Sequence, residues 1–193
     1  MSETTRRRPG GRSARVRRAV LDATLELVNA HGLDGVTVAE VAERAGVHET
    51  SIYRRWRTRE NLTLDALLAS ADEQLPVPDT GAVREDLLRY ATALAAYLTT
   101  PPGNALDRAL AAAGDDPATA HTRSEYWNTR AALSTQIFTR AVDRGELPPQ
   151  VDPRLAIEML VAPLHFKAVF TREPLDPALP AQLVDLVLRG LAA

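Results

Sequence analysis

Two short helical runs meet at a single glycine: TVAEVAERAG (37–46) and VHETSIYRRW (47–56). In the first, Val38, Val41, Ala42 and Ala45 recur at helical spacing and form a narrow apolar face. Thr37 followed three residues later by Glu40 is a capping box that opens this helix. Gly46 supplies the positive φ that a sharp turn between helices needs, and Val47 can plug the turn. In the second run Ile52 and Trp56 lie four apart and share one face, while Glu49, Thr50 and Arg54 fall largely on others. Two short helices joined by a glycine-containing turn of three or four residues form a helix-turn-helix. A pair this small needs a third helix to bury its apolar face. The preceding segment offers one from about Ser13 to His31, with Val20, Ala23, Thr24, Leu27 and Val28 at helical spacing and Gly32 as its stop.

The second run is chemically mixed. A core helix does not want Arg54 and Arg55, and a solvated face does not need Tyr53 and Trp56. A recognition helix needs both: apolar residues to seat it, and polar ones to touch DNA. Glu49, Thr50 and Arg54 can reach base edges, while Ser51, Tyr53 and Arg55 carry donors suited to phosphates. A plain amphipathic helical hairpin is the competing reading. Charge bears on the choice. Residues 1–60 hold 12 arginines against 8 acidic residues, and residues 61–193 hold 11 basic against 17 acidic residues. A basic head on an acidic body suits one end that attracts a polyanion. An ordinary charged surface with a basic tail would look the same.

The remainder reads as helix, with no clean period-two alternation. Thr58 caps a fourth helix over about 59–74, and LPVPDTG (75–81) is a joint. A fifth helix spans about 82–99 and stops before Pro101-Pro102, and a sixth covers about 104–113. Asp116 and Pro117 open a seventh, to about 144, and Asp152 and Pro153 open an eighth, to about 171, with Pro163 bending it. A ninth spans about 178–191. The eighth, LAIEMLVAPLHFKAVF, is apolar nearly all round, too apolar for the surface helix of a monomer.

Several function classes lack their signatures. The chain has no cysteine, hence no disulfide or thiolate metal site. His31, His48, His121 and His165 are scattered without ligand spacing, and no Ser-His-Asp arrangement, HExxH, glycine-rich phosphate loop or EF-hand is present. No enzyme activity, metal or cofactor is expected. RRRPGG (6–11) is not followed by an apolar export segment, and no run is long enough to span a bilayer, so a soluble cytoplasmic protein without membrane contact is expected.

The segment AVLDATLELVNAHGLDGVTVAEVAERAGVHETSIYRRWRTRENLTLDAL, matched over about 15–68, resembles the N-terminal domain of TetR/AcrR-type transcriptional regulators. GELPPQVDPRLAIEMLVAPL (145–164) and EPLD (173–176) are similar to one C-terminal subgroup of that family. The resemblance implies an all-α protein of about nine helices: a basic arm (1–12) disordered until bound, a three-helix DNA-binding domain (13–57), and a helical effector-binding and dimerisation domain (58–193). It places the recognition helix on His48–Trp56, with Glu49, Thr50 and Arg54 facing the groove and Ser51, Tyr53 and Arg55 on the backbone. Thr37 and Arg59, at helix starts, would touch phosphates. One departure is His48, where the family often has a serine cap. Either Glu49 compensates, or His48 itself turns toward DNA. Glu49 is best used on cytosine N4, so G·C pairs read by Glu49 and Arg54 are expected. The arm RRRPGGR, ending at Arg12, either enters a minor groove or attracts phosphates non-specifically.

One helix-turn-helix reads few base pairs, so a homodimer on palindromic double-stranded DNA is expected. By resemblance, the eighth and ninth helices form its interface, and the fourth to eighth enclose a pocket for a small hydrophobic effector. Tyr90, Tyr97, Tyr126, Trp127, Arg130, His165 and Phe166 are the candidate contacts, and His165 could equally serve the dimer. The function implied is a ligand-responsive regulator, by default a repressor. A DNA-binding regulator or architectural protein without a small-molecule effector is the alternative.

Overall fold

A computed structural model describes residues 11–112 and 117–191. The architecture is all-helical among the described residues. Two compact units divide between Ala69 and Ser70.

The N-terminal unit is built on α1 (Gly11–His31), α2 (Val38–Ala45), α3 (Glu49–Trp56) and the first part of α4 (Arg59–Gln74). Its core draws Val20, Leu27 and Val28 from α1, Val38 and Val41 from α2, Ile52 and Trp56 from α3, and Leu62 and Ala66 from α4. The capping box at α2 has its backbone half: the Thr37 hydroxyl accepts the Glu40 N–H at 3.2 Å. The return half differs from the usual form, because Glu40 Oε2 accepts from the Thr37 hydroxyl itself, at 2.9 Å. At the other end Gly46 sits at φ 64°, and the Val47 N–H donates to the Ala42 carbonyl at 3.0 Å, the 6→1 bond of a Schellman turn. That bond sets the angle at which α3 leaves α2.

Two N-terminal boundaries fall elsewhere than the sequence reading puts them. Gly11 and Arg12 already belong to α1, because nothing after Gly11 opposes helix and one glycine at a terminus costs little. The rest of the expected arm, residues 1–10, lies outside the described residues. The division between units falls inside α4, whereas the sequence reading puts it after Arg57. The reason is that α4 contributes Leu62, Ala66 and Asp65 to the head.

The C-terminal unit contains the end of α4, then α5 (Val83–Leu98), α6 (Pro101–Ala112), α7 (Pro117–Ser134), α8 (Gln136–Asp143), α9 (Pro153–Phe166) and α10 (Leu179–Leu191). Leu87, Ala91 and Leu94 of α5, Ile137 and Phe138 of α8, Leu160 and Leu164 of α9, and Val184 and Val187 of α10 fill its core. The joint before α5 is fixed by a fully buried carboxylate: Asp86 Oδ1 accepts from both the N–H and the hydroxyl of Thr80, each at 2.7 Å. At the start of α5, Glu146 accepts the free Val83 N–H at 2.6 Å. This bond, then the neighbouring Arg144, holds the Glu146 carboxyl below the usual carboxylate range.

The α6 helix starts at Pro101, not near Asn104. Proline fits a first turn because its missing N–H would have no helical partner there, and the Thr100 hydroxyl accepts the Gly103 N–H at 3.1 Å. Gly103 itself is dictated by space, since a Cβ there would stand 2.0 Å from the Tyr97 carbonyl oxygen. The long seventh helix of the sequence reading is divided at Thr135. There the hydroxyls of Ser134 and Thr135 bond back to the carbonyls of Arg130 and Ala132 and compete with the helical ladder. Among the described residues, counting α7 and α8 as one interrupted helix gives nine α-helices. The expected cap Asp116 lies outside the described residues. Asp152 does cap α9, accepting the N–H groups of Arg154 and Leu155. Beyond Phe166 the chain widens into one π turn (Lys167–Thr171), ended by Arg172 at φ 54°.

Candidate nucleic-acid interface and ligand cavity

In the N-terminal unit α3 presents the division of faces its composition demands. Ile52 and Trp56 are buried; Glu49, Thr50, Tyr53, Arg54 and Arg55 are exposed, Tyr53 at 48%, and Ser51 is half-buried. The helix is held by one acidic residue. Asp65 of α4 accepts the Trp56 indole N–H at 2.8 Å and pairs with Arg17 of α1 at 2.6 Å. One carboxylate thus ties α1, α3 and α4 together. The Arg55 guanidinium lies 5.4 Å from the Trp56 ring centroid, a cation–π contact that keeps it against the helix. Arg17, His48, Ser51, Arg54 and Arg55 share one concave groove on the unit.

His48 is the N-cap of α3 but makes no side-chain capping bond, and it is exposed. Both hydrogen-bonding functions of the Thr37 hydroxyl are used within α2. Arg59, exposed at the start of α4, pairs with Glu60 at 3.0 Å. The Glu60 carboxyl is lowered from its usual range, first by the backbone N–H at this helix start and then by Arg59. The side chain of Arg12 lies outside the described residues.

The C-terminal unit encloses a cavity of about 540 Å³. Tyr90, Tyr97, Trp127, Arg130, His165 and Phe166 all line it, together with Tyr126 and the apolar Leu94, Leu98, Ile157 and Val161. Arg130 is buried and braced: Nη2 donates to the Leu75 carbonyl at 3.0 Å and to Tyr90 Oη at 3.2 Å, and Nη1 lies 3.5 Å from Asp72 at the end of α4. Burial pushes the Tyr97 phenol up to about 12, against a partial lowering by its bond with Ser70. Burial raises Tyr126 further. Both hydroxyls therefore keep their protons at neutral pH. Tyr126, Trp127 and His165 form an edge-to-face series with centroids 5.1 Å apart at each step. Phe166 stacks on Phe170 at 5.6 Å, and both are more than half exposed.

Sequence reasoning missed Asp65, Asp72 and Asp107. Each stands in a strongly helical, alanine- and leucine-rich run (TLDALLASAD or NALDRALAAA), where a carboxylate of unassigned purpose is the available signal. Among the described residues no cluster of His, Asp and Glu suits a metal ion, and no helix is long and apolar enough to cross a membrane.

Residues 20–66 match the family described as bacterial regulatory proteins, tetR family, and residues 77–187 match the tetracyclin repressor-like C-terminal domain. The chain belongs to the TetR family of transcriptional regulators. It is 38% identical to the HTH-type transcriptional regulator AqdR of Rhodococcus erythropolis over 93% of this chain and 86% of that one. It is 32% identical to the DNA-binding transcriptional repressor TetR of Mycobacteroides abscessus, over 88% of this chain and 90% of that one. The crystal structure of the TetR family transcription regulator SCO0332 superposes with a TM-score of 0.81 at 32% identity, covering 91% of this chain and 97% of that one. As a TetR-family regulator the protein binds DNA, and α2–α3 is its helix-turn-helix.

Proposed function

We propose that this TetR-family regulator is a repressor that binds a palindromic operator as a homodimer and leaves it when a small hydrophobic effector fills the C-terminal cavity. The observation that carries the reading is the cavity itself: a DNA-binding protein has no structural need for about 540 Å³ of mostly apolar space walled by three tyrosines and a tryptophan. Repression is the activity named for the Mycobacteroides relative.

On DNA, Glu49, Thr50 and Arg54 read base edges, and Ser51, Tyr53 and Arg55 hold the backbone, with His48 beside them. Thr37 and Arg59 meet phosphates at two helix starts. The α2 contact falls to backbone N–H groups, because the Thr37 hydroxyl is already engaged. The basic arm through Arg12 adds minor-groove or phosphate attraction. Two copies join through α9 and α10. Leu155 (55% exposed), Met159 (56%) and Phe166 follow one face of α9, and Leu186 (59%) stands out from α10. A stripe of large apolar side chains at helical spacing calls for a partner. Such a regulator works in the cytoplasm, where its operator is.

The lever is α4. Asp65 on this helix holds the recognition helix, and Asp72, seven residues on in the sequence, pairs with Arg130 of the cavity wall. A ligand that reshapes the Arg130 brace acts on the helix that also carries Asp65. The effector prefers one form of the dimer and DNA the other, so each weakens the other. Selecting genomic fragments on the purified protein, then screening lipophilic compounds for a raised melting point and release of those fragments, tests the reading. Compounds that stabilise the protein and leave the fragments bound would count against it.

A further inference from the structure

We infer that the cavity selects an apolar ligand carrying one O–H or N–H group, which donates to Nε2 of His165, and that Asp107 is the positioning residue that sets this imidazole. The inference rests on reading the cavity as the effector site.

Among the polar groups of the wall, Arg130, Ser134, Tyr97 and the Arg154–Glu158 pair are spent on the protein. Arg130 serves Leu75, Tyr90 and Asp72. The Ser134 hydroxyl donates to the Arg130 carbonyl at 2.7 Å. Tyr97 bonds with Ser70. His165 differs. Its Nδ1 lies 2.7 Å from Oδ2 of Asp107, a carboxylate 6% exposed. An ionised carboxylate only accepts, so the proton sits on Nδ1. On a neutral ring this leaves a lone pair at Nε2, for which no hydrogen-bond partner is seen among the described residues. Trp127 packs against the ring at 83° between planes and limits its rotation. His165, Asp107, Trp127 and Phe170 also line a second cavity of about 240 Å³, so the pair stands in a wall shared by two chambers.

The surroundings make this acceptor selective. A ligand donor stripped of water inside apolar walls must find an acceptor or forfeit its hydration. Nε2 supplies one. A ligand without a donor gains only burial, and a carboxylate seated at Nε2 faces both a lone pair and the charge of Asp107, while the Arg130 and Arg154 guanidiniums of the same wall are already engaged by Asp72 and Glu158.

A matched series tests this on the full chain by calorimetry: 4-hexylphenol, its methyl ether 4-hexylanisole, and 4-hexylbenzoate. The phenol is expected to bind about tenfold tighter than the ether, the worth of one net hydrogen bond, with the benzoate weakest. His165→Phe should bring the phenol-to-ether ratio to about one while the ether still binds. Asp107→Asn should lower the same ratio without weakening the ether, which a purely structural role would not do. If Asp107→Asn fails to fold, His165→Phe and His165→Asn carry the test. A wild-type ratio near one, a benzoate that binds tightest, or a ratio untouched by His165→Phe would overturn the inference and leave the effector site standing. Failure of all three compounds to bind would overturn both.

Discussion

Asp65 performs two tasks with one carboxylate, accepting from the Trp56 indole and pairing with Arg17. Asp65→Asn keeps the shape but offers one acceptor oxygen and no charge. Urea unfolding should show a loss of about 1–3 kcal/mol, and DNA affinity should fall with it as α3 loosens. The arginines of α3 divide by role. Arg54→Ala should relax sequence preference, whereas Arg55→Ala should weaken all sequences alike and reduce the salt slope by about one unit, measured by titrating fragments at several salt concentrations. In the cavity wall, Tyr97 titrates higher in the folded chain than in the unfolded one, at about 12 against 10. The folded state thus holds this proton more tightly. The stabilisation is complete below about pH 10 and is lost as pH rises toward 12. Tyr126 adds to it with the same sign. Unfolding midpoints should decline across that window, and Tyr97→Phe should shallow the decline.

Among the elements, the helix-turn-helix was the most legible in sequence, because its signals are local. Thr37, Gly46 and the Ile52–Trp56 pair act within a few residues of one another, and each does in the fold what its spacing implies, while Glu40 reaches back to the Thr37 hydroxyl and not to its N–H. Boundaries that depend on competition were less legible. Pro101-Pro102 reads equally as a stop or a start, and the Thr100 cap decides for a start. The break at Thr135 comes from two hydroxyls that propensity alone treats as ordinary helix residues. The ligand candidates were legible as aromatics on successive helices, but Asp107 was not, since its partner lies 58 residues away. On α9 the exposed stripe makes its own prediction. Met159→Asp sets a charge in that apolar stripe at a residue that does not itself line the cavity. The protein should sediment as a monomer, with melting temperature little changed and affinity for a palindrome reduced far more than for a half-site.

At the scale of the whole molecule, the division between the two units falls within α4. The head is basic and holds its recognition helix through α4. The body is acidic and holds its cavity wall through the last turns of the same helix. Allosteric couplings of ~1–3 kcal/mol change affinity by roughly 5- to 150-fold. That is enough for the repression proposed above, which requires a change of occupancy and not an end to binding. The most direct measurement is the affinity of a cavity ligand for the free protein and for the protein saturated with its operator. Coupling predicts that operator weakens the ligand by the same factor as ligand weakens operator, and that Asp72→Asn shrinks that factor while both separate affinities persist. Equal ligand affinity in the presence and absence of operator would contradict it.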